Sequence, residues 1–168
     1  MDNEKVNLEE MTPQETAAYE GDLMNAILRA AEFKTDESEY RRIQIKRNDK
    51  VLLKFLIRPL TEEDLSKCRK KNTRTKQGRF GIDREKLNGA RYRSQIIYEA
   101  TVPDDSTGGV KIWDYKREII WQKLNVASGV DAIDAILKAG EKDMVVAAIE
   151  DISGFQNDDN EVIENIKN

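Results

Sequence analysis

The stretch Arg42-Ile43-Gln44-Ile45-Lys46-Arg47-Asn48-Asp49-Lys50-Val51-Leu52-Leu53-Lys54-Phe55-Leu56-Ile57-Arg58-Pro59 decides the fold. Ile43 and Ile45 alternate with Arg42, Gln44 and Lys46, the period-two pattern of a strand with one wet face. Asn48-Asp49 supplies a turn, and Val51, Leu53, Phe55 and Ile57 carry the alternation into a second strand. Leu52 and Leu56 fall on the other face, so both faces should find some cover. Pro59 ends the strand because it has no N–H for the ladder. A two-stranded hairpin is marginal in water by itself, so the elements on either side must pack on it.

Those elements read mostly as helices. Upstream, Thr12-Pro13-Gln14-Glu15 combines a capping threonine, a proline at the first helical position and a glutamate at the third. Ala17, Leu23, Met24, Ile27, Leu28 and Ala31 then recur along a helix toward Phe33, and Gly21 weakens its middle by about 1 kcal/mol relative to alanine. Burial of this stripe against the protein's own core is the expectation; a groove-binding helix that uses Leu23 and Ile27 is the alternative.

Downstream, Thr61-Glu62-Glu63-Asp64 opens a short helix that runs into Lys67, Arg69, Lys70 and Lys71. Residues 72–82 hold almost no core formers and read as a loop, after which Asp83 caps a helix bearing Leu87, Ala90, Ser94 and Ile97. Thr101 to Gly109 reads as a surface turn, and Trp113, Ile119, Ile120, Trp121 and Leu124 anchor a helix from about residue 114. Ser128 and Asp131 cap another, which Gly140 should stop; Met144 to Ile152 form a last one ended by Gly154, with Phe155 where a Schellman stop places its apolar contact. Residues 156–168 are polar but keep Val162, Ile163 and Ile166, a frayed tail or a short docking helix. The expected architecture is α+β and mainly α-helical: one domain over 1–155, a small antiparallel hairpin at about 40–58 packed by several helices, and a polar tail over 156–168.

Composition removes many chemistries. The 168 residues include no histidine, so imidazole catalysis and histidine-ligated metals are excluded. Cys68 stands alone, without a disulfide partner or a second zinc thiolate. No phosphate-cradling glycine loop, nucleophile elbow or EF-hand loop occurs. Carboxylates are plentiful, and Asp104 with Asp105 have the chemistry to hold a magnesium ion, but a Pro-Asp-Asp-Ser turn accounts for them by local hydrogen bonding. Cys68 sits among Lys67, Arg69 and Lys70, which would lower an exposed thiol's pKa, but no general base neighbours it. The longest apolar run, Met144 to Ile149, is far short of the roughly 20 residues that span a bilayer. The acidic start Met1-Asp2-Asn3-Glu4 is unlike a secretory signal. A soluble, intracellular, non-enzymatic protein with no cofactor and no metal is expected.

The net charge of −4 conceals segregation: residues 1–40 carry 11 acids against 3 bases, residues 67–93 carry 11 bases against 2 acids, and residues 131–168 carry 10 acids against 3 bases. Arg69, Lys70, Lys71, Arg74, Lys76 and Arg79 are able to follow a phosphate backbone, so nucleic acid is an alternative partner of the basic block. Phe80 and Tyr92 are its only aromatics, too few for a run of stacked bases, and an acidic protein helix explains it equally well.

Four stretches carry a resemblance. They are Phe55-Leu56-Ile57-Arg58-Pro59-Leu60-Thr61-Glu62-Glu63, Tyr98-Glu99-Ala100-Thr101-Val102-Pro103-Asp104, Ile133-Asp134-Ala135-Ile136-Leu137-Lys138-Ala139-Gly140-Glu141 and Ile149-Glu150-Asp151-Ile152-Ser153-Gly154-Phe155. In order and spacing, over roughly residues 40–155, the chain resembles the XkdN-like phage tail assembly chaperones. The resemblance implies a non-catalytic protein of a phage or prophage that binds the tape measure protein, shields its apolar segments and recruits major tail protein. It also implies action in the cytoplasm of the bacterial host and absence from the mature virion. Candidate contact residues are Leu23 and Ile27 on the first helix, Arg69, Lys70, Lys71, Arg74 and Lys76 in the basic block, and Phe155 and Ile163 toward the tail.

Overall fold

The computed structural model describes residues 12–33, 39–78 and 83–155. The chain divides into two units, Met1–Ser38 and Glu39–Asn168. In the first, the described element is helix α1, Pro13–Phe33, with proline at its first position as the capping signal requires. The second is mainly helical, with two small antiparallel sheets of two strands each, a mainly-α member of the α+β class.

In that second unit β1 (Arg41–Arg47) pairs antiparallel with β2 (Lys50–Ile57). Asn48 and Asp49 both take positive φ, the turn whose twist suits a two-residue hairpin. A bulge between Ile45 and Lys46 leaves Leu52 without a partner residue in β1, and Leu52 is exposed while Leu56 is half-buried. The other face turns Ile45, Phe55 and Ile57 into the core. The end of β2 is covered by the chain leaving α3 (Gly89–Ala100): Arg58 N donates to Ala100 O, Val102 N donates to Leu56 O, and Ile57 bridges Thr101.

Helix α2 (Glu62–Lys71) begins with a reciprocal capping box between Thr61 and Asp64. Thr73–Gln77, inside the expected 72–82 loop, instead form β3, which pairs with β4 (Asp83–Leu87) as a second hairpin. Asp83 therefore belongs to a strand, and the cap of α3 is Asn88, whose side chain accepts from Arg91 N. The expected helix from about 114 is α4 (Arg117–Leu124), preceded by a 3-10 turn at Ile112–Asp114 that buries Trp113. Of its expected anchors, Ile119 is exposed. Helix α5 (Gly129–Ile136) opens at Ser128 as read, but it stops at Leu137; Gly140 lies inside the first turn of α6 (Ala139–Ile152). Gly154, at φ +83°, ends α6, and Phe155 N reaches back to Glu150 O.

Helix α3 is the hub, packed by α2, α5 and α6. Ile97, Ile133, Val145 and Ile149 are buried around it, and Phe55 meets Trp113 edge-on at 5.1 Å between ring centres. Trp113 Nε1 donates to Thr101 Oγ1 at 2.8 Å, which satisfies both buried groups.

Candidate functional site

The residues singled out in the sequence fall on three surfaces. Leu23, Met24, Ile27 and Leu28 stand at helical spacing on one side of α1. All four are exposed, Leu23 at 50% and Ile27 at 61%, as is Tyr19 one turn earlier. Within the described part of the first unit, a single helix, no second apolar element lies against the stripe. A run of large apolar side chains left in water marks an interaction surface.

The basic block forms the second surface. Arg69, Lys70 and Lys71 occupy the last turn of α2, where the helix dipole favours cations, and all three are exposed. Thr73 Oγ1 donates to Arg69 O, Asn72 Nδ2 donates to Cys68 O and Asn88 N donates to Asn72 O, so the hairpin is stitched to the ends of α2 and α3. In its register Arg74 faces Lys86 and Lys76 faces Arg84. Residues opposite each other in a ladder share a face, so these four cations stand together. The structure thus brings Arg74 and Lys76 together with two residues not singled out in the sequence, Arg84 and Lys86. The alternation of Arg84 and Lys86 with Asp83, Glu85 and Leu87 was the available signal, but a search for apolar alternation passes over it.

Phe155 belongs to the third. It is 52% exposed and lines a groove of about 280 Å³ with Leu65, Tyr92, Ile96, Ile149, Glu150 and Ser153. Ile163, like Arg79 and Phe80, lies outside the described residues.

Among the described residues, four polar groups with reactive potential, Cys68, Asp104, Tyr98 and Lys111, are buried or bonded. Cys68 is 1% exposed, and burial pushes its thiol up to about 11, the reverse of what its basic neighbours would do in water. Asp104 caps its own turn by accepting from Ser106 N, which holds its carboxyl below the usual range. A cleft of about 640 Å³ beside Tyr98, Lys111 and Asp114 has a phenol that donates to Asp114 Oδ2 at 2.7 Å. Burial and then that bond raise Tyr98 to about 12, so it neither gives nor takes a proton near neutrality. Lys111 Nζ is held by the carbonyls of Tyr98 and Glu99. Among the described residues no group of three or more Cys, Asp or Glu is placed to hold a metal ion, and no helix is long and apolar enough to cross a membrane.

Residues 24–167 match the family described as phage XkdN-like tail assembly chaperone protein. The chain belongs to this family. No curated protein and no solved structure matches it. In this XkdN-like chaperone the four stretches that carry the resemblance are joined through the frame of the second unit. Leu60 N donates to Ser153 Oγ, Val102 N donates to Leu56 O, and Glu141 receives Arg47 from the first hairpin. They are turns, caps and core positions, so what they specify is the frame. Two of the three exposed surfaces lie beside them: Arg74 and Lys76 fall between two of the stretches, and Leu23 lies one residue before the family match, while Phe155 closes the last stretch itself.

Proposed function

We propose that this tail assembly chaperone binds the tape measure protein of its phage, covers its apolar segments until tail subunits surround them, and assists tube polymerisation by bringing major tail protein to the complex. The observation that carries the reading is the exposed stripe Leu23, Met24, Ile27 and Leu28 on α1. A helical client with its own apolar stripe is the natural complement of such a face, by helix-on-helix packing. Binding of this kind needs no bond making, and the occupied polar groups described above fit a role without turnover. The reading places the protein in the host cytoplasm during assembly and outside the finished particle.

Co-expression tests it. With the chaperone present, the tape measure protein of the same phage should stay in the soluble fraction and co-purify with it; Leu23→Ser/Ile27→Ser should return the client to the pellet. If the two proteins never associate and tails assemble normally without the chaperone, the reading is wrong.

A further inference from the structure

We infer that the cationic face of the β3–β4 hairpin is a second, separate docking surface, built for a carboxylate-rich segment of a partner polypeptide. The inference rests on the reading above only in taking the partner to be a protein.

The register makes the case. Residues two apart on a strand are about 6.6–6.8 Å apart, and opposite residues have Cβ atoms about 5 Å apart, so Arg74, Lys76, Arg84 and Lys86 crowd four positive charges onto one small quadrangle. Like charges directly opposite destabilise a ladder, and this hairpin has two such pairs in succession. Elsewhere in the second unit Arg41, Arg47, Arg58, Arg91 and Arg93 each close on a carboxylate, while Arg42 and Arg69, like the quartet, form no ion pair among the described residues. None of the quartet forms an ion pair among the described residues. All four are exposed, and Glu85, the nearest acid in the ladder, stands opposite Thr75 on the other face. Among the described residues no carboxylate closes on the quartet, which leaves the face open to a carboxylate-rich partner.

The local geometry gives that molecule a seat. A cleft of about 480 Å³ is lined by Arg74, Lys76 and Lys86 and by Leu87, Asn88 and Gly89, where β4 turns into α3. The start of α3 adds its own positive potential there, with first-turn amides that lack helical partners. A carboxylate-bearing segment lying along the face would meet side-chain cations first and the helix end next.

Charge and shape select a polypeptide over a nucleic acid. The whole chain carries −4 with an isoelectric point near 5.1, so a long polyanion is repelled by the molecule at large. A short acidic segment senses only the field within about 8 Å, where the quartet dominates. Among the described residues the face also consists of arginine and lysine, with no aromatic ring on which bases would stack.

Fluorescence anisotropy on the full chain tests this, using a labelled peptide of Glu, Leu and Ala beside single-stranded and duplex DNA of equal charge. At about 50 mM salt the peptide should bind, and affinity should fall as salt rises to about 150 mM. Arg74→Gln/Lys76→Gln/Arg84→Gln/Lys86→Gln should weaken it at least about tenfold, Lys76→Gln/Arg84→Gln alone about threefold, and Lys50→Gln/Lys54→Gln not at all. The fourfold variant should melt no lower than the parent, because it removes like-charge pairs. Absence of peptide binding at the lower salt, equal binding by the fourfold variant, or tighter binding of either DNA would each overturn the inference. Capture of the tape measure protein is scored separately through α1, so loss of that capture with peptide binding intact counts against the proposed function and not against this face.

Discussion

Arg47, the last residue of β1, closes on Glu141 in the first turn of α6 through two hydrogen bonds of 2.7 Å, spanning 94 positions of sequence. The same guanidinium donates to Ile136 O at 2.7 Å, and Glu141 also accepts from Lys138 N at 2.8 Å. One ion pair therefore ties the first hairpin, the end of α5 and the start of α6 together. The paired fork geometry is what makes arginine and not lysine suited to the place.

This clamp predicts an acid-sensitive fold. The Arg47 hydrogen bond, followed by the Lys138 amide, holds the Glu141 carboxyl down at about 2, against 4.5 for a free group. A carboxyl depressed in the folded state stabilises fully above its unfolded value and loses that contribution as pH falls toward the folded one. Melting temperature should therefore drop between about pH 4.5 and pH 2. Glu141→Gln should lower it by a few degrees at neutral pH and flatten the acid limb. Differential scanning fluorimetry over pH 2–8 checks both, and a limb unchanged in the variant would show that other carboxylates carry it.

Gly129 predicts a different failure. It is buried at the first position of α5, and a Cβ there would drive into the Tyr98 ring and approach Asp114 Oδ1 at 2.6 Å. Tyr98 is not free to retreat, since its hydroxyl is bonded to Asp114 and Lys111 Nζ sits 4.5 Å over its ring. Gly129→Ala should cost about 1–3 kcal/mol by urea unfolding, as overpacking does. Adding Tyr98→Leu should recover part of that loss, because the ring is what the methyl meets.

How far the sequence could be read follows from where each signal lives. Thr61, Ser128 and Gly154 act on their own few residues, so the capping and stop they impose are visible locally. Asn48-Asp49 and the isoleucine alternation mark the first hairpin for the same reason. The second hairpin escaped because Thr73 to Gln77 alternate one polar type with another, and apolar periodicity has nothing to count. Gly140 was read as a stop because a two-residue link between helices puts the end of one and the start of the next side by side. The chaperone's candidate surfaces were half legible: Arg74 and Lys76 stood out as charge, while Arg84 and Lys86 needed the register to reveal their position.

Cys68 offers a probe of global opening. Its Sγ lies 3.9 Å from Gln95 O inside the α2–α3 contact, and the thiol sits at about 11 through burial. A thiol reagent near neutral pH should label the native chain far more slowly than the unfolded one, with rates that rise in urea along the unfolding curve. Rapid labelling without denaturant would mean that α2 opens separately from the rest. Cys68→Ser should leave client binding intact, since no reaction passes through the sulfur.

Stability and client binding should come apart between the two apolar sets. Ile133 is fully buried, so Ile133→Ala should cost about 2–5 kcal/mol in unfolding. Ile27 is 61% exposed, so Ile27→Ser should change stability by no more than about 0.5 kcal/mol. Capture of the tape measure protein should respond in the opposite order: at a temperature where both variants are folded, Ile133→Ala should retain it and Ile27→Ser should lose most of it. Urea melts and co-purification yields, measured on the same preparations, separate the two effects. If Ile27→Ser destabilised the chain as much as Ile133→Ala, the stripe on α1 would be core in solution and not a surface held ready for a client.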